Sequence, residues 1–337
     1  MNTDEINQII DKHASDNLSP KQKQRDYISV KYQELCGFLK GNCFQSGSYA
    51  RFTAINPVHD LDVIYTVSDI AIQQNPSKLI DSIATELQVG YSKSLISRIK
   101  RIYHQTHSVT IEFADSPEDF SIDIVPAIIL SNELNEYNQP LYLIPEIIRL
   151  NKHNRTHRYA IESEKPIIWV KSDPRGYIQA TSELNSVNND FRHTAKIIKT
   201  WRHNCKMQYQ DQFCLKSFHL ELIVYDYFVK NSGGITLDAI IYSLGEIPTC
   251  LSNPHFPDRA DSSRKIDDYV TGLTPEQKQL IVTLQSKAYT IARLLPSSKN
   301  EKELTDRIVD MLSIGKQANF NFVPAIRTVT PPQPWSY

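Results

Sequence analysis

Two aspartates one residue apart, Asp60 and Asp62, form the only Asp-x-Asp pair in the chain. They open the run Asp60-Leu61-Asp62-Val63-Ile64-Tyr65-Thr66-Val67, whose β-branched content predicts a strand. Residues i and i+2 of a strand share a face, so both carboxylates project together while Leu61 and Val63 enter the core. Adjacent carboxylates repel unless a cation sits between them, and hard divalent cations with oxygen ligands are the natural occupants. A third carboxylate, Asp123, lies in Phe120-Ser121-Ile122-Asp123-Ile124, on the polar face opposite its three apolar neighbours. Three carboxylates from neighbouring strands can hold two metal ions about 3.5–4 Å apart, which clamps the attacking and leaving oxygens of phosphoryl transfer. An Asp-x-Asp alone reads as a solvated strand edge. Gly47-Ser48 before the pair and Asp123 after it turn the balance, because a Gly-Ser turn offers a triphosphate close backbone approach and a hydroxyl.

A second constellation is basic. Arg192, Lys196, Lys199 and His203 recur at i, i+4, i+7 and i+11 on a predicted helix over 190–203, roughly opposite the apolar Phe191, Ile198 and Trp201. Spacing leaves two readings open: a solvated basic ridge, or Lys196 and Lys199 reaching a triphosphate held at the carboxylates.

The elements that must position these groups follow from periodicity. Ser19-Pro20 reads as N-cap and first position of a helix of about 20 residues carrying Ile28, Tyr32, Leu35 and Leu39, stopped at Gly41. From Cys43 to about Val170 the chain turns to short runs rich in Val, Ile and Tyr, with a helical pattern over Leu79–Leu87. Residues 114–119 read as the loop of a hairpin between SVTIEF and FSIDIV. Strands with interspersed helices predict a mixed α/β sheet. After Ser172-Asp173-Pro174 the pattern is helical, with an apolar helix over Leu215 to Val229, a capping box at Thr274-Pro275-Glu276-Gln277 and a last helix through Leu304 and Ile308 to Gly315. The Pro/Asp-rich stretch 246–272 reads as a long loop. The expected division is a catalytic core with an N-terminal spine helix over 1–180, a helical C-terminal lobe over 181–325 and a Pro-rich tail over 326–337.

Composition bounds the function. With 337 residues, 40% apolar and 22% charged, the chain is an ordinary globular protein of about two domains. No stretch approaches the roughly 18 apolar residues of a membrane span, and the polar, acidic start is no secretion signal. The five cysteines include no CxxC, as suits reduced thiols in a cytoplasmic protein. A net charge of −1 disfavours a long nucleic acid as partner. Only ten glycines are present, and none builds a dinucleotide fingerprint or a Walker loop.

Gly47-Ser48, Asp60-Leu61-Asp62 and Asp123 together resemble the signature of the DNA polymerase β-like nucleotidyltransferases. The segments GSYARFTAINPVHDLDVIY, FSIDIVPAI, IIWVKSDP, NDFRHTAKIIKTWRHNCK and LKSFHLELIVYDYF resemble its cGAS/DncV-like branch, the CD-NTases, related to the oligoadenylate synthetases. The resemblance implies a nucleotidyltransferase core with a helical C-terminal lobe and the active site in the cleft between. Its bacterial members condense NTPs into cyclic di- or trinucleotide signals in anti-phage (CBASS) systems. Carried over by position, Asp60, Asp62 and Asp123 would bind two Mg²⁺ ions (or Mn²⁺), with Asp123 beside the attacking hydroxyl. Gly47, Ser48, Lys196, Lys199 and Ser217 would contact the phosphates of an NTP, ATP among them. A regulatory protein and an effector that senses the product are implied partners. The chain departs from the family pattern at Phe52, where a second glycine is common, and at Ser46, where an apolar residue is usual. Two other functions stay open beside the cyclase: an enzyme transferring AMP to tRNA or protein, and a catalytically idle nucleotide-binding scaffold.

Other clusters carry less. His203, Cys205, Cys214 and His219 form a poor zinc set, since i and i+2 on a helix do not face each other. Arg98, Lys100, Arg101, His104 and His107 read as a solvated edge strand. The tail from Val329 to Tyr337 has polyproline II composition, and suits a partner-binding peptide or a segment folded back on the body equally.

Overall fold

The computed structural model describes residues 1–68, 76–91, 98–105, 107–116, 119–147, 167–187 and 189–314. Seven strands form one mixed sheet: β1 (Cys43–Gln45), β2 (Asp60–Val67), β3 (Ile99–His104), β4 (Val109–Phe113), β5 (Ser121–Leu134), β6 (Pro140–Ile147) and β7 (Ile167–Ser172). Five run in the order β1-β2-β5-β4-β3, and β6 bridges β5 to β7. Among the described residues only β2 and β5 pair in parallel; the hairpin expected around 114–119 is the antiparallel β4–β5 pair. The basic stretch beginning at Arg98 forms the edge strand β3, where Lys100 and Arg101 pair with Glu112.

The sheet alternates as the sequence demands. Leu61, Val63, Ile122 and Ile124 are fully buried, against α2 (Gln22–Phe38) and α4 (Pro76–Glu86) through Ile28, Leu35, Ile80 and Ile83. Burial of each such side chain contributes about 1.5–3 kcal/mol, which holds the register that aims Asp60, Asp62 and Asp123 away from this core.

The helical lobe comprises α5 (Pro174–Val187), α6 (Asp190–Tyr209), α7 (Ser217–Lys230), α8 (Thr236–Ser252), α9 (Pro275–Ala292) and α10 (Glu301–Leu312). Its core gathers Phe191, Trp201, Leu220, Ile240, Leu284 and Ile308. The first helix, α1 (Thr3–His13), packs here as well: Ile6, Ile10, Ala14 and Leu18 join this core although they precede the sheet in the chain. Among the described residues no helix is long and apolar enough to cross a membrane.

Two local expectations are corrected and one open reading is narrowed. Ser19 does not cap α2; Lys21 does, without a side-chain bond, while Ser19 Oγ turns back to the carbonyl of Ala14 at 3.1 Å. The stretch 246–272 is not one loop, because α8 runs on to Ser252 through Pro248. The proline removes the N–H that would serve the Leu244 carbonyl, and the buried amide of Gln285 donates there instead at 2.7 Å. The ridge of α6 is not uniformly solvated, since Lys199 is buried. The Pro-rich tail and Gly315 lie outside the described residues.

Candidate active site

A cleft of about 650 Å³ separates the sheet from the helical lobe. Seven of the sequence-selected residues line it: Gly47, Ser48, Asp60, Asp62, Asp123, Lys199 and Ser217. The parallel pairing of β2 and β5 sets Asp62 directly across from Asp123 and Asp60 across from Ser121. Neighbouring strands lie about 4.8 Å apart, so β2 and β5 present their carboxylates to one another on a single face. Burial first, then the charges of Asp60 and Asp123, push the Asp62 carboxyl up to about 7, against the pull of Arg51 and Lys199. Burial likewise pushes Asp123 to about 6, opposed by the hydroxyl of Thr110, which donates to Oδ1 at 2.5 Å. Gln105 Nε2 donates to the same oxygen at 3.3 Å. An oxygen-only donor set of one sign, repelled within itself, fits a hard divalent cation such as Mg²⁺.

The turn beside it is α3 (Gly47–Ala50), none of whose residues is buried. Its entry is fixed by Ser46 N donating to the carbonyl of Asp62 at 2.8 Å. Gly47 takes φ +65°, and a Cβ placed there would fall 1.7 Å from Asp62 Oδ2. Both facts require glycine at this position. Phe52 takes φ +60°, the left-handed conformation that glycine adopts freely, which explains why the family pattern favours glycine at that point.

The two lysines part company. Lys199 Nζ lies 3.0 Å from Glu221 Oε2 and 3.2 Å from Thr53 Oγ1, buried; burial lowers its pKa and Glu221 restores part of the difference. Lys196 is not among the cleft's lining residues, and its ammonium donates to Ser19 Oγ at 2.8 Å. Burial, with Arg192, Lys199 and Arg25 nearby, pulls Lys196 down to about 8. A helical wheel cannot separate the two lysines; only the packing of α6 does.

Sequence reasoning missed Arg51, Thr53 and Glu221. Arg51 Nε donates to Glu221 Oε1 at 2.5 Å and Thr53 Oγ1 to Oε2 at 2.8 Å, so residues of the turn reach across to α7. A signal existed: Glu221 is a charge set among Leu220, Leu222, Ile223 and Val224, and such a residue is rarely buried without partners. Tyr177 and Phe218 were missed too. They meet edge to face at 5.1 Å and offer aromatic surface to the cleft. His59 and His203 stack across it at 6.0 Å.

Elsewhere, the four residues of the zinc alternative do not converge. Cys205 is buried, Cys214 Sγ turns to the Asp211 carbonyl, and His219 Nδ1 meets Tyr269 Oη. Among the described residues, one group of acidic and imidazole donors lies within 4.8 Å of one another: Asp11, Asp190 and His193. It is outside the cleft, and its oxygens already accept from Asn7 and Thr236, so it works as a staple between α1 and the helical lobe.

Residues 5–141 match the model of the Second Messenger Oligonucleotide or Dinucleotide Synthetase domain. No curated protein matches the sequence. In fold, the chain is similar to Escherichia coli CdnC bound to a HORMA protein (TM-score 0.65, 16% identity, 92% of this chain and 97% of that one). It is similar also to the Bradyrhizobium diazoefficiens CD-NTase CdnG in complex with GTP (0.59, 12%, 94% and 99%) and to the Vibrio cholerae cyclic AMP-GMP synthase DncV (0.57, 13%, 80% and 68%). At these identities the likeness is one of fold: a polymerase β-like sheet with a helical C-terminal region. The domain match over residues 5–141 and the fold together support a nucleotidyltransferase, and the cGAS/DncV-like resemblance is borne out.

Proposed function

We propose that this enzyme condenses NTPs, ATP among them, into a cyclic di- or trinucleotide. The observation that carries this reading is the register that opposes Asp62 to Asp123 beside the Gly47–Ser48 turn, in a cleft with room for a nucleotide. Gly47 and Ser48 accept the phosphates by close approach, Lys199 adds a fixed positive charge and Ser217, first residue of α7, contributes a hydroxyl. Asp123 sits beside the attacking ribose hydroxyl, with its orientation fixed by Thr110 and Gln105. Asp60, Asp62 and Asp123 would hold two Mg²⁺ ions, with Mn²⁺ able to replace them. When bound, these supply charge stabilisation to the attacking and leaving oxygens. Lys196, placed outside the cleft, is not given a phosphate contact in this scheme.

Ring closure is favoured because a linear intermediate held in one cleft keeps its free hydroxyl near the remaining triphosphate, at high effective concentration. A net charge of −1 supplies little phosphate-neutralising surface for a long acceptor. The CdnC structure with a HORMA protein supports a regulatory protein partner, and the chain would serve cytoplasmic anti-phage signalling through an effector that reads its product. The test is incubation of the protein with Mg²⁺ or Mn²⁺ and labelled NTPs, followed by phosphatase. A phosphatase-resistant small product is expected; label that stays sensitive, or that attaches to added tRNA or protein, replaces the cyclase by an AMP transferase.

A further inference from the structure

One carboxylate holds the wall between the lobes. Glu221 receives Arg51, Thr53 and Lys199, and all four side chains are buried. Arg51 and Thr53 are also the backbone clamps of the turn: Arg51 N donates to the Gly47 carbonyl at 3.3 Å and Thr53 N to the Ser48 carbonyl at 2.9 Å. Ser217 stands one helical turn before Glu221, on the same face of α7. The turn of the sheet lobe, the lysine of α6 and the serine of α7 therefore share a single anchor.

Two cations face one carboxylate here, and Arg51, Lys199 and Glu221 all line the cleft, where Arg51 and Lys199 also pull on the Asp62 carboxyl. Burying such charges is costly, and apolar residues of similar volume would serve stability as well or better. The cluster lies where it orients the residues of the cleft rather than where it adds stability.

We propose that Glu221 is the positioning residue of the nucleotide site, holding Lys199 and the Gly47–Ser48 turn in register across the lobes. This deepens the reaction proposed above and rests on it for its kinetic arm, but its first test needs no turnover. In the nucleotide-free protein, Glu221→Gln should speed amide hydrogen exchange at Arg51 and Thr53 about tenfold while the amides of Ile198, Ile223 and Val224 in the helical core stay unchanged. In turnover, the same variant should lose about 10- to 100-fold in kcat with little change in KM, since the triphosphate still binds but out of line. A structural role alone would raise exchange throughout the helical core. Unchanged exchange at Arg51 and Thr53, or a uniform rise, overturns the assignment. Should Glu221→Gln fail to fold, Thr53→Val deletes one donor and decides the matter: a smaller rise confined to the turn supports it, and wild-type exchange overturns it. Absence of pyrophosphate release by the wild type with any NTP would sink the proposed reaction, while the exchange result still decides the role of Glu221.

Discussion

On the sheet side of the cleft, burial and mutual repulsion push Asp62 to about 7 and Asp123 to about 6. On the helical side, burial pushes Glu221 in the same direction, yet Arg51 and Lys199 outweigh it and hold the carboxyl at about 2. Both regions draw carboxylates out of water, and both need counter-charge to do so. Glu221 finds it in Lys199 and in Arg51 of the facing turn, whereas on Asp62 the same two cations are outweighed. A carboxylate with strong internal partners is part of the framework, whereas a set without them is built to receive something.

Substitution can break this contrast from either side. The largest effect is expected from Asp60→Asn with Asp62→Asn, which removes metal-binding charge and little volume. Nucleotidyl transfer should fall at least about 10³-fold, while the melting temperature stays level or rises as repulsion is relieved. Pyrophosphate release and a thermal melt measure the two, and wild-type turnover would refute the two-metal assignment. On the other side Glu221→Ala strands two buried cations and should cost about 3–5 kcal/mol in urea unfolding. Gly47→Ala drives a methyl into Asp62, so kcat should drop about 100-fold with a loss of about 1 kcal/mol in stability. Normal turnover in that variant would show that the turn does not approach the substrate.

Smaller effects sharpen the contrast between the two lysines. Lys199→Ala should raise KM for NTP about tenfold, whereas Lys196→Ala should change it less than about twofold. Equal effects would place Lys196 back in the cleft. The smallest effect concerns pH. Burial, only partly opposed by Asp267, holds His219 at about 4, below its ordinary 6.5. Between those values the unfolded chain binds the extra proton, so stability is fully present above pH 6.5 and declines as pH falls towards 4. His219→Asn should flatten that decline in melting temperature; an unaltered slope assigns it to other groups.

Where local pattern suffices, the sequence reads correctly. The period of two in Asp60–Val67 and Phe120–Ile124 places three carboxylates opposite a core because alternate side chains of any strand face apart. The capping box at Thr274 forms as written, since its donors and acceptors lie within three residues. Phe191, Ala195, Ile198 and Trp201 are buried for the same local reason.

Tertiary structure decided what depends on distant partners. Lys196 and Lys199 are alike on a helical wheel, yet one meets Ser19 and the other Glu221, at separations of 177 and 22 residues. Arg51 finds Glu221 across 170 residues, and Pro248 is tolerated in a helix because Gln285, 41 residues beyond Leu244, serves the orphaned carbonyl. The amphipathic face of α1 shows only that it must be buried, not which core takes it; packing gave it to the helical lobe. Periodicity states which atoms must leave water, and only the closed chain determines which atoms meet them there.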